Sequence, residues 1–286
     1  MQMEENVHYN ELYARSCEDL ALTKALLQES LKVENFEAAM TFAENLIQLE
    51  PGSYTPIHAK CVVLFQKNEL GDIGLLLADA AEPFGDDPNY IIDRLAYTIE
   101  VMGTAAAKKY LEKIGDKPAY ESEEFLKLCT RIYHAEGDEE KFIKCLYILH
   151  KQFHSEQARI LLAVESIDHQ KYEAALKWYV AVINGYTGSP EYFMALAGRT
   201  RMLQLLERGN WQEEMQKAAL EIDLAATIHI SNLWLLTISA ELWEILGNQE
   251  LAERNRSVIA ELEKYAEDPK GYMQSIQSVN NGETRK

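Results

Sequence analysis

Turn-forming residues recur along this chain at a nearly constant interval, and that period constrains its fold more than any other feature. Glu34, Gly71, Gly103, Gly137, Gln170, Gly209 and Gly247 stand 37, 32, 34, 33, 39 and 38 residues apart. A period of 20 to 50 residues is the mark of an array in which one supersecondary unit repeats. Between these positions the apolar residues follow helical steps of three and four, as in Phe142, Leu146, Leu149 and in Ile160, Leu161, Val164, Ile167. Strand-like alternation is absent. With 7 Pro and 14 Gly in 286 residues, the chain lacks the turn formers that an all-β fold of many short strands needs. Each interval therefore reads as two short helices joined by an inner turn.

Other residues keep register with the turns. An aromatic stands two positions past the turn residue at Phe36, Tyr172 and Trp211, and a small residue stands five past it at Ala39, Ala175 and Ala252. Before the turns, Leu95-Ala96, Leu162-Ala163 and Ser239-Ala240 occupy one matching place. Small residues on both helices let two backbones approach, and the aromatic fills the gap beside them. Proline at Pro51, Pro88 and Pro118 is expected to close units, because it cannot continue a helix and drives its predecessor out of the α region. Hairpins of this size cannot bury their apolar faces alone, so neighbours must stack.

This layout resembles the tetratricopeptide repeat (TPR) family over roughly residues 20–266. The resemblance is clearest in Leu26 through Asn35-Phe36-Glu37-Ala38-Ala39 to Pro51, and in Leu162-Ala163 through Lys171-Tyr172-Glu173-Ala174-Ala175. Units near Tyr54 and Asn89 are degenerate, without the aromatic and most of the small residues. The resemblance implies an all-α fold, a right-handed α-α superhelix of about seven stacked TPR-like hairpins spanning residues 20–267. Residues 1–19 are expected to extend or cap the first helix, and 268–286 to form a flexible tail.

Composition narrows the function. Acids outnumber bases 46 to 28, giving a net charge of −18. Binding to nucleic acid draws on clustered Lys and Arg that displace counterions from phosphates, so that partner is disfavoured. The four cysteines, Cys17, Cys61, Cys129 and Cys145, form no CxxC pair and sit in apolar helical patterns, which suggests neither disulfides nor zinc. No apolar run approaches the ~20 residues that cross a bilayer, and the N-terminus lacks the basic-then-apolar order of a signal peptide. The expectation is a cytoplasmic protein without direct membrane insertion.

Candidate chemistry is sparse, and no enzymatic activity, metal or cofactor is expected. His150 and His154 stand four apart, but Lys151 occupies the place where an HExxH zinc site needs Glu. The carboxylates Glu121, Glu123, Glu124, Asp138, Glu139 and Glu140 fall at helix starts, where acids favour the dipole. Trp178, Trp211, Trp234 and Trp243 fit hairpin packing. In TPR proteins the first helix of each hairpin lines the concave face, where peptides bind. Projected from the turns, that lining includes Lys127, Arg131, His134, Arg199 and Glu241, with Ile160, Val164 and Leu203 between them. The basic members suit an acidic segment held by charge-assisted hydrogen bonds, although the Asn-rich clamp of chaperone-tail binders is missing. Three roles follow: a scaffold binding a protein or peptide partner in its groove, a structural subunit of a complex or homo-oligomer, or a ligand-sensing solenoid.

Overall fold

The computed structural model describes residues 18–115, 122–185, 188–228 and 233–267, and every regular element among them is an α-helix. The expected N-terminal cap and C-terminal tail lie almost wholly outside the described residues, as does Pro118. Fourteen helices follow in seven pairs among the described residues: α1 (Leu20–Lys32) with α2 (Phe36–Leu49), α3 (Thr55–Gln66) with α4 (Leu70–Phe84), α5 (Pro88–Met102) with α6 (Thr104–Ile114), and α7 (Glu123–Ala135) with α8 (Glu139–Phe153). The series continues with α9 (Glu156–Asp168) and α10 (Tyr172–Ile183), α11 (Pro190–Leu205) and α12 (Trp211–Ile228), and α13 (Leu233–Ile245) and α14 (Gln249–Glu267). The chain divides into two units, 1–145 and 146–286, at a point inside α8.

Six of the seven inner turns share one construction. Glu34, Asn68, Gly137, Gln170, Glu207 and Gly247 take a positive φ. The residue after each sends its N–H back to a carbonyl five positions earlier: Asn35 to Ser30 at 2.8 Å, Glu69 to Leu64 at 2.9 Å, Asp138 to Tyr133 at 2.9 Å, Lys171 to Ser166 at 2.7 Å, Arg208 to Leu203 at 2.9 Å and Asn248 to Trp243 at 2.9 Å. This left-handed closure satisfies carbonyls that the helix end would otherwise orphan. The third hairpin turns differently: Gly103 alone, at φ 82°, separates α5 from α6.

The geometry corrects two of the sequence markers. Gly71 lies inside α4, and the turn residue of the second hairpin is Asn68. From Glu34 through Asn68, Gly103 and Gly137 to Gln170 the intervals become 34, 35, 34 and 33 residues, so the apparent irregularity of the second unit disappears. In the sixth hairpin Glu207 makes the turn and Gly209 belongs to a longer loop before α12. At 16 and 18 residues, α11 and α12 are also longer than α9 and α10, at 13 and 12, which accounts for the wide late intervals. Pro88 does not close a unit: it opens α5 at the first helical position, behind an Asp87 cap whose carboxylate accepts from Asn89 N–H.

Packing follows the expected register. Phe36, Tyr172 and Trp211 each begin a second helix, half-buried. Ala39, Ala175 and Ala252 are fully buried, and the same place in the second and fourth hairpins holds Ile73 and Phe142, equally buried. In these five hairpins the place is buried and tolerates size, whereas in the third and sixth it holds the half-buried Lys108 and the exposed Gln212. Each core cluster also reaches one helix onward. Leu27, Ala39, Phe42 and Leu46 pack with Ala59 and Val63 of α3; Tyr54, Ile73 and Leu77 pack with Tyr90 of α5; Ala175, Tyr179 and Val182 pack with Ala195 and Met202 of α11. Sharing between neighbours supplies what a lone hairpin lacks.

A non-glycine residue in the left-handed region carries a steric cost that glycine escapes. Gln170→Gly is therefore expected to raise stability by about 0.5–1 kcal/mol after the entropy cost of glycine, and Gly247→Ala to lower it by about 1 kcal/mol. Urea denaturation of both variants checks the pair of signs.

Candidate functional site

The turn residues give a common ruler for the first helix of each hairpin. Six residues before them stand Arg131 on α7, Val164 on α9, Arg201 on α11 and Glu241 on α13, all exposed. Helical spacing extends this face three and four residues either way. On α7 it carries Lys127 and His134, so three of the expected groove residues share one face of one helix in the first unit. Their charges are already engaged. Lys127 Nζ lies 2.9 Å from Glu123, Arg131 reaches Glu100 of α5 at 2.7 Å, and the His134 ring tilts onto Phe142 at 5.0 Å.

In the second unit the picture shifts by two residues. Arg199 is half-buried and paired with Glu214 of α12 at 2.9 Å, inside its own hairpin. The reason is the displaced turn: counting from Glu207 in place of Gly209 moves the open face two residues back, from Leu203 to Arg201 and from Arg199 to Ala197. Leu203 is half-buried and Ile160 lies in the core, whereas Val164 is exposed. Arg201 and Glu241 line an open cleft of about 380 Å³ between α11 and α13, with Ala197, Gly198, Ile238 and Ile245 among its other walls.

The paired histidines do not present two imidazoles together. His154 lies beyond the end of α8 at φ 54°. His150 accepts from Arg159 Nε at 3.1 Å and stands edge-on to Trp178. Burial, with the Arg159 charge beside it, pulls the His150 pKa below its ordinary value. Trp243 is buried and donates its indole N–H to Asp223 at 3.0 Å. Asp223 also accepts from Ser239, Asn255 and Arg254, which ties α12, α13 and α14 around one carboxylate.

A second polar centre was not anticipated from the sequence. Asp93, only 3% exposed on α5, accepts from the Tyr54 hydroxyl at 2.9 Å, and His58 Nδ1 lies 3.0 Å from both its oxygens. Burial pushes Asp93 above the usual carboxylate range, against the opposing pull of His58 and Tyr54. Burial would depress His58, but the hydrogen bond and charge of Asp93 outweigh it and hold the imidazole above 6.5. Cys61, alongside, is pushed by burial to about 12. A thiol in that state stays protonated at neutral pH and offers no nucleophile. The cluster acts instead as a polar staple between successive hairpins. Its signal was present: an acid directly after the apolar run Tyr90-Ile91-Ile92, one repeat length after a lone histidine.

The comparisons with known proteins concern this framework of hairpins. No family model and no curated protein matches the chain. Solved structures do match. The APC/C hetero-tetramer Cut9–Hcn1 superposes with a TM-score of 0.57 at 10% identity, over 83% of this chain and 45% of that one. PilF of Pseudomonas aeruginosa gives 0.53 at 13%, over 77% and 94%, and a tetratricopeptide repeat protein from Parabacteroides merdae gives 0.52 at 15%, over 87% and 98%. The fold is that of a TPR-like helical repeat protein. This TPR-like chain spans less than half of the chain that it matches in the Cut9–Hcn1 assembly but covers the other two nearly end to end. Among its described residues no helix is long and apolar enough to cross a membrane.

The staple yields a stability prediction. Asp93→Ala strands the Tyr54 hydroxyl and His58 and is expected to cost about 2–4 kcal/mol, with Asp93→Asn costing distinctly less. A histidine with a raised folded pKa contributes stability that is full below the unfolded value of 6.5 and fades as pH climbs through the folded one. Denaturation at pH 6 and pH 8 should show this loss in the wild type and a smaller one in His58→Gln.

Proposed function

We propose that this TPR-like chain is a non-catalytic scaffold that holds a segment of a protein partner along the open face of its first helices. The observation that carries the reading is apolar surface on that face. Val164 on α9, with Met194 and Leu205 on α11, remain 41%, 44% and 49% exposed. Met194, Arg201 and Leu205 are spaced seven and four apart, so one side of α11 offers them together. Burying such side chains releases about 25 cal/mol per Å² of apolar surface, against the cost of ordering the partner. The binding set of the proposal is Lys127, Arg131 and His134 in the first unit, and Arg201 and Glu241 in the second. Arg199 yields its place because its charge is spent on Glu214. That PilF and Cut9-type proteins share the fold, and that Cut9 is named within a hetero-tetramer, supports a protein as the partner. The net charge of −18 speaks against nucleic acid, and three buried free thiols support a cytoplasmic setting.

A photo-crosslinking residue at Arg131 or Glu241 is expected to capture partner protein in the native cell, whereas the same residue at Lys217 on α12 is not. Equal capture at all three positions, or none, would count against the open face.

A second reading has its own observation. Leu220, Leu224 and Ile228 form a stripe on α12 and are 53%, 63% and 68% exposed. Contiguous apolar surface of this kind marks association faces and favours a structural subunit or homo-oligomer. Under that reading light scattering gives a mass above the 32.7 kDa monomer, and Leu224→Glu returns it to one chain.

A further inference from the structure

We infer that the cleft between α11 and α13 is an anchor pocket for one bulky apolar side chain of a partner polypeptide, flanked there by an acidic residue facing Arg201 and a basic residue facing Glu241. The inference rests on the scaffold reading and names the chemistry of the segment held.

The floor comes first. Ala197, Gly198, Ile238, Leu242 and Ile245 line the cleft. Gly198 is fixed by packing behind it: a Cβ there would come within 2.4 Å of the Tyr179 ring, so the hairpins can meet only if this position has no side chain. The resulting space of about 380 Å³ lies near the small end of pockets that enclose an organic group, roughly 300–1,000 Å³. One leucine, methionine or phenylalanine side chain suits it.

The charges on the rim set the flanks. Glu244 is engaged by Arg256 of α14. Arg201, by contrast, meets only the neutral amide of Gln204 among the described residues, at 3.2 Å. Glu241 makes no ion pair among the described residues. An uncompensated cation and an uncompensated anion therefore stand at the same register on adjacent first helices, with apolar floor between them. Charges so placed contribute orientation and discrimination more than affinity, because a segment entering in reverse would meet like charges on both sides. A free amino acid carries both charges on one carbon. The polypeptide reading is favoured because the apolar strip continues beyond the cleft along α11 through Met194 and Leu205.

A phage library of 15-residue peptides panned on the full-length chain tests this directly. The wild type is expected to enrich sequences with one large apolar residue between an acidic and a basic residue. The double variant Arg201→Glu, Glu241→Lys alters two exposed side chains, and circular dichroism confirms its fold. It should enrich the reverse charge order and bind a synthetic wild-type-selected peptide about tenfold or more weakly. An unchanged motif in the swapped variant, a motif without charge order, or no enrichment at all would overturn the inference. So would full displacement of the selected peptide by free leucine, which would point to a small-molecule site. If partners still crosslink at Glu241 while the swap changes nothing, the cleft fails and the scaffold reading stands; if crosslinking also fails, both fall.

Discussion

A helix of a dozen residues is marginal in water, because the nucleation penalty is barely recovered over so few hydrogen bonds. Every helix here from α1 to α10 is 11 to 15 residues long. Stability must therefore come from packing against the next helix in sequence, and the whole arrangement serves close approach. In five of the seven hairpins a left-handed turn joins the two helices across three residues, and fully buried places such as Ala39 and Ala175 let them touch. The core clusters then pass the debt forward, each borrowing side chains from the helix that opens the next hairpin.

This economy explains where polar groups can be afforded. A buried carboxylate is costly unless donors surround it. Asp93 and Asp223 both meet that condition, and both link elements of successive hairpins where apolar contact alone would leave the angle between them poorly defined. Asp223 is surrounded by hydroxyl, indole, amide and guanidinium donors. Asp93 has one phenol and one imidazole, so its stability depends on the protonation of His58 in a way that Asp223 escapes.

Periodicity made the hairpins, their number and their packed faces legible in the sequence. The small-residue register held at Ala39, Ala175 and Ala252 and the aromatic one at Phe36 and Tyr172, while Trp211 stands four residues past its turn at Glu207. What failed was the choice of a nearby glycine as the turn residue in the second and sixth hairpins, while Glu34 and Gln170 were read correctly. The left-handed residue is Glu, Asn or Gln in four of the six shared turns, because the returning N–H and the packing behind it outweigh a modest steric cost. Gly71 and Gly209 therefore misled by three and two residues. The second slip mattered for the site, since two residues turn a helical face by more than half a circle and put Leu203 and Arg199 in the places of Arg201 and Ala197. The Asp93–His58 contact was hidden for a different reason. It joins residues 35 apart, and only knowing that equal registers become neighbours turns that separation into proximity.

The same rule separates structure from function along the first helices. A register position that neighbouring hairpins fill with complementary groups, such as His58 and Asp93, is consumed by the fold. One whose occupants pair between neighbouring hairpins yet stay exposed, such as Arg131 with Glu100, is partly consumed, since a partner must displace an exposed ion pair worth little on its own. Arg201 and Glu241 hold matched places yet neither is neutralised by an ion pair among the described residues, and the surface between them is apolar. An uncompensated pair flanking unfilled apolar surface contributes nothing to the stability of the isolated chain. Its natural completion is a side chain supplied by another molecule.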